Sequence, residues 1–264
     1  MPTPSYLRIA TIDGTYGSGR ATQARELAKA FRSIGVPALA ISRWDIEQAI
    51  LLKPWMLMHA GTRAASRRNT DTEIALLRRH VTNLSEAELV ALAREHRLSL
   101  TAGIPHWNND IALATAKIRL NTADLVGRIA QYPLVRCFVT ELIERQVEQF
   151  RDECEGQDTT GWVIIAGYGV TSDFPDAAVS FVLEVSAAEA AIRKECVKRT
   201  VLDLDRMGCT APPSRLPGQS VTVDVVTTGK SIRAVCDELI TALVQKPSWR
   251  TGYAELLPFA HFRS

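Results

Sequence analysis

The stretch Gly14-Thr15-Tyr16-Gly17-Ser18-Gly19-Arg20-Ala21-Thr22 constrains this chain more than any other. It follows Leu7-Arg8-Ile9-Ala10-Thr11-Ile12, a short apolar run with β-branched residues that reads as a buried strand. After it, Ala24, Leu27, Ala28 and Phe31 recur at helical spacing between Thr22 and Arg32, and Gly35 and Pro37 close that helix. Val36 to Ser42 is a second apolar strand. Strand, glycine loop, helix, strand is a βαβ opening and predicts a parallel α/β sheet.

A glycine loop between a buried strand and a helix N-terminus suits an anion. Successive backbone N–H groups and the helix dipole converge there. Glycine is needed where the backbone turns sharply or approaches a phosphate. The spacing follows G-x-x-x-x-G-K-[ST], with Arg20 in place of Lys and Ala21 in place of Ser or Thr; Thr22 stands one position later. A plain turn joining strand to helix is the alternative. Lys is a compact ammonium and Arg a longer planar fork, so Arg20 can bind phosphate without reaching the same point.

Further along, Asp45 to Arg79 is mostly helix-forming and carries Arg63, Arg67 and Arg68. Leu84-Ser85-Glu86-Ala87-Glu88 marks a helix start. Arg97 to Thr101 and Asp110 to Arg119 alternate apolar with polar residues and read as small antiparallel strands. Asn121 to Phe150 is helical, interrupted at Tyr132-Pro133, and Glu155 to Thr160 is a polar loop. Trp162 to Ala166, Val179 to Val185 and Val221 to Val226 are the remaining core strands. Ser186 to Arg206 and Ser231 to Val244 are helices, and Pro212, Pro213 and Pro217 make the stretch between Gly208 and Gly218 a loop or flap.

Composition narrows the function classes. The chain has 264 residues, long enough for a substantial core. Its 31 Lys and Arg nearly balance 29 Asp and Glu, which offers no general footprint for nucleic acid. The five cysteines, Cys137, Cys154, Cys196, Cys209 and Cys236, have no CxxC spacing and read as free thiols of a reducing cytoplasm. No signal peptide is read at the start, and no run reaches the ~18 apolar residues of a membrane span. The five histidines show no metal spacing. A cytoplasmic protein with no membrane and no nucleic-acid partner is expected.

Several segments together resemble the P-loop nucleoside monophosphate kinases. Ile12-Asp13-Gly14 through Thr22-Gln23-Ala24-Arg25 is similar to the phosphate loop of thymidylate kinases. Ile118-Arg119, Tyr132-Pro133-Leu134-Val135-Arg136 and Glu144-Arg145-Gln146 resemble cytidylate kinase segments. So does Phe174-Pro175-Asp176-Ala177 with Phe181-Val182-Leu183, Ser186, Glu189 and Arg193. The order is the family's, over about residues 6–245. The resemblance implies an α/β P-loop NTPase fold, a five-stranded parallel sheet flanked by helices. Residues 6–44 and 121–245 would form the core. Residues 45–120 would be an inserted acceptor-binding lobe, 193–218 a lid, and 246–264 a tail.

It further implies ATP and Mg²⁺. Gly14, Gly17, Ser18, Gly19, Arg20, Ala21 and Thr22 would hold the ATP phosphates, Thr22 would approach Mg²⁺, and Arg20 and Asp13 would serve the chemistry. Arg119, Arg136 and Arg193 would contact the substrate, a pyrimidine monophosphate such as CMP or dCMP. The chain departs from the family at the end of the third core strand. Ala166-Gly167-Tyr168-Gly169 stands where the family has Asp-Gly-Arg-Asp. Asp45 and Asp173 are candidate replacements for that carboxylate, although turn and cap roles suit both. Only fragments of the family's acceptor segment survive near Ser42-Arg43-Trp44-Asp45, and the arginine-rich lid is replaced by the Pro-rich stretch Thr210 to Gly218. Three functions stay open: an ATP-dependent phosphotransferase for a small nucleotide, a nucleotide-binding relative without turnover, and a kinase of a natural-product intermediate.

Overall fold

The computed structural model describes residues 6–15, 17–59, 79, 83–107, 123–193 and 221–245. These fall into two compact units. Of the described residues, those up to Ser42, those of 147–193 and those of 221–245 make the first, and those of 43–146 the second.

The first unit is built on a sheet of five parallel strands. They are β1 (Leu7–Gly14), β2 (Ala38–Ser42), β5 (Gly161–Ala166), β6 (Val179–Glu184) and β7 (Val221–Val226), in the order β2-β5-β1-β6-β7. Every residue of β5 is buried, as a central parallel strand covered on both faces requires. Helix α1 (Arg20–Ser33) lays Ala24, Leu27, Ala28 and Phe31 onto the sheet. Phe31 stacks on Trp162 with ring centroids 5.2 Å apart. Helix α8 (Ile232–Gln245) adds Val235, Leu239 and Leu243 to the same core.

This strand order creates a switch point. The chain leaving β1 passes over β5 to reach β2, while the chain leaving β5 passes over β1 to reach β6. Right-handed crossovers send these connections to opposite faces of the sheet. The carboxyl ends of β1 and β5 are therefore where a ligand crevice is expected in an open α/β sheet.

The second unit contains α2 (Arg43–His59), α3 (Glu86–Glu95), the strands β3 (Leu98–Thr101) and β4 (Ile104–Trp107), α4 (Ala123–Ile129) and the start of α5 (Pro133–Gly156). The division between units falls inside α5, beyond residue 120. Helix α3 opens with a capping box. The Ser85 hydroxyl accepts from the Glu88 N–H, and the Ser85 N–H donates to the Glu88 carboxylate at 2.7 Å.

The strand Ile104–Trp107 is one that alternation in the sequence does not single out. The partner of Leu98–Thr101 is Ile104–Trp107, joined by a two-residue turn in which Ala102 and Gly103 have φ of 50° and 78°. Positive φ at both positions matches the twist of adjoining strands. Ala102 carries no sequence signal for that backbone. Asp110 to Arg119 lie outside the described residues, as do Arg63, Arg67 and Arg68. Helix α5 also runs on to Gly156 through the start of the anticipated polar loop. No helix among the described residues is long and apolar enough to cross a membrane.

Candidate functional site

The glycine loop sits at the carboxyl end of β1, at the switch point, and leads directly into α1. Its three glycines all have positive φ: 138° at Gly14, 80° at Gly17 and 90° at Gly19. They are glycine for different reasons. A Cβ on Gly14 would collide with the Leu183 carbonyl of β6, which accepts from the Thr15 N–H at 3.1 Å. A Cβ on Gly17 would come 2.9 Å from Ala190 Cβ, in helix α7 (Ala187–Arg193). Gly19 faces open space and needs only its left-handed backbone.

Gly19 is the N-cap of α1. No side chain caps this helix end, and its first turn holds no acidic residue. A helix start so arranged favours an external anion. Beside it, the buried hydroxyls of Thr15 and Ser18 have no hydrogen-bond partner among the described residues. Orphaned polar atoms buried in a glycine loop suit an incoming polar group. Thr22 follows in the first turn and is half-buried, as is Ala21.

Asp13 and Arg20 organise the base of the loop. Asp13 is fully buried. Its Oδ1 accepts from the N–H of Gly14 at 2.7 Å and of Gly169 at 3.2 Å, and its Oδ2 accepts from the N–H of Thr171 at 3.4 Å. Gly169 caps a short helix after β5, α6 (Val170–Asp173), which sequence periodicity did not reveal. Arg20 Nη1 donates to the Gly14 carbonyl at 2.7 Å and lies 3.9 Å from Asp13 Oδ1. Burial pushes the Asp13 carboxyl above the ordinary carboxylate range, while Arg20 and the three N–H donors pull the other way. Below, the Thr11 hydroxyl donates to Ser180 at 2.8 Å and lies 3.3 Å from that of Thr171.

The loop residues Gly14, Gly17, Ser18, Gly19, Arg20, Ala21 and Thr22 are thus brought together with Asp13. Asp173 is the last residue of α6 and bonds Gly169 through its own backbone N–H. Arg136 and Asp45 belong to the second unit, on α5 and α2. Arg193 ends α7, and its side chain lies outside the description, as do Arg119, the lid stretch 194–218 and the tail 246–264. The sequence showed the glycines and the cation, but not the junction of Asp13 with the turn after β5.

The residues present fit a phosphate group. Toward a metal they supply less. Among the described residues no group of three or more His, Cys, Asp and Glu could hold an ion. Both Asp13 oxygens face N–H donors, so the side-chain oxygens the loop could turn toward a cation are the hydroxyls of Thr15, Ser18 and Thr22. In the comparison with known proteins, no protein-family model and no curated protein matches this chain.

Proposed function

We propose that this chain binds the phosphates of ATP on residues 14–22 and is a phosphotransferase of the nucleoside monophosphate kinase type. Its acceptor would be a pyrimidine nucleoside monophosphate such as CMP or dCMP. One observation carries the reading: a strand–glycine loop–helix unit stands at the switch point of a five-stranded parallel sheet. Its three glycines have positive φ and its buried hydroxyls lack partners among the described residues. Phosphoryl transfer asks the protein for positioning and charge neutralisation more than covalent chemistry. Backbone N–H groups of the loop and of the α1 N-terminus would hold the phosphate oxygens. Arg20 would leave the Gly14 carbonyl and pair with phosphate. Thr22 would be the residue to hold Mg²⁺, which would supply charge neutralisation. Arg119, Arg136 and Arg193 are assigned to the acceptor through the family resemblance.

A second reading, nucleotide binding without turnover, is favoured by the end of β5. Ala166-Gly167-Tyr168-Gly169 offers no side-chain carboxylate there, and Asp13 is enclosed by N–H donors. Calorimetric titration with ATP, run beside a coupled ADP-release assay over a panel of nucleoside monophosphates, separates the two. Binding with acceptor-dependent ADP release supports the kinase. Binding with no release for any acceptor supports the second reading. No binding refutes both.

A further inference from the structure

Asp13 presents a contradiction between stability and placement. Its carboxyl is fully buried, and desolvation outweighs the help of Arg20 and the backbone donors. The folded protein therefore holds this proton more tightly than the unfolded chain does. The contribution to stability is complete below the unfolded pKa and is lost as pH rises through the folded pKa. At neutral pH the charged form works against the fold.

What the charge accomplishes is local. It draws the N–H of Gly14, at the entrance of the phosphate loop, and the N–H groups of Gly169 and Thr171, 156 and 158 residues away in sequence, onto one carboxylate. It also stands beside the Arg20 guanidinium, which closes the loop back onto Gly14. These are the two connections that diverge at the switch point.

We propose that Asp13 is a positioning residue for the phosphate site: its carboxylate ties the entrance of the glycine loop to the Gly169–Thr171 turn and holds Arg20 beside both. This rests on the phosphate-loop reading above. Protonating the carboxyl places a donor where an acceptor stood and releases at least one of the three N–H groups. The charged group facing Asp13 among the described residues is Arg20, from α1. The turn after β5 presents backbone N–H groups, and β6 contributes the neutral Ser180 through Thr11. Phosphate affinity then depends on a charge that works against fold stability.

The test compares Asp13→Asn with the parent, using ATP and Mg²⁺ in calorimetry and a thermal melt on the same samples. At about pH 8 the variant is expected to bind ATP about tenfold more weakly, the worth of one charged hydrogen bond. Its melting temperature should equal or exceed the parent's. As pH falls toward the acid limit of the folded state, the ratio of the two affinities should approach one. That ratio cancels the titration of ATP itself. Equal affinities at every pH, with the parent binding ATP, overturn this inference alone. So does a melting temperature that falls together with affinity. A parent that binds no ATP overturns the phosphate-loop reading and this inference with it. Should the variant not fold, hydrogen exchange in the parent decides. Added ATP should protect the amides of Gly14, Gly169 and Thr171 together, and protection at Gly14 without the other two overturns the proposal.

Discussion

Alanine substitutions at the two ends of the glycine loop should have very different costs. Gly14 has φ of 138°, a region that is essentially glycine-only, so a side chain there costs about 1–3 kcal/mol in backbone strain. An added Cβ would also collide with the Leu183 carbonyl and lie 2.8 Å from the Leu183 nitrogen. Leu183 is the register partner of Gly14 in β6, so relief requires the two strands to part. Parting them breaks the Thr15 N–H to Leu183 carbonyl bond of 3.1 Å. An unpaired buried N–H adds about 1–3 kcal/mol. Gly14→Ala is therefore expected to lose about 2–6 kcal/mol, a large part of the ~5–15 kcal/mol that holds a domain together. Gly19 has φ of 90° but faces open space, so Gly19→Ala meets only the left-handed penalty of about 1–2 kcal/mol. Urea unfolding of parent and both variants, compared at constant m-value, measures the difference. Equal losses, within about 1 kcal/mol, would show that contact with β6 does not shape the loop entrance.

Other perturbations probe other parts of the molecule. Gly19→Val adds a branched Cβ at a left-handed position and should abolish ATP binding; unchanged binding would remove the loop from the phosphate site. In a working kinase, Arg20→Ala should lower turnover on the order of 10²-fold, far more than it lowers binding, and Arg20→Lys should keep part of the activity. In a non-catalytic binder Arg20→Lys creates no activity, and turnover arising only when Ala166→Asp is added would point to a missing carboxylate. Gly161→Ala should destabilise by about 1–3 kcal/mol in chemical unfolding, because its Cβ would lie 2.5 Å from Cys154 Sγ and 2.9 Å from the Phe150 ring. Ser85→Ala should cost about 1 kcal/mol by removing the cap of α3, and an unchanged unfolding midpoint would count against the capping box.

Much of the first unit is legible in the chain itself. The run Trp162 to Ala166 is apolar at every position, and only a strand covered on both faces needs that. Ala24, Leu27, Ala28 and Phe31 give the buried stripe of α1 from spacing alone. The second unit was harder. Its hairpin turns on Ala102 and Gly103, and an alanine at φ 50° does not advertise a turn. In the first unit, the four-residue α6 is too short to carry a periodicity.

The sequence by itself determined where the five strands and the long helices α1 and α8 of the first unit form and where the chain must turn with glycine. These depend on backbone freedom and side-chain period within a few residues. Only the tertiary structure decided the strand order, which places β5 between β2 and β1 and so creates the switch point. Only it showed that Asp13 faces N–H groups from two separate connections and that Arg20 bonds its own loop's carbonyl. Asp13 and Gly169 are 156 residues apart. A carboxylate shut away from water must take the donors that packing brings to it, and no local pattern records which those are.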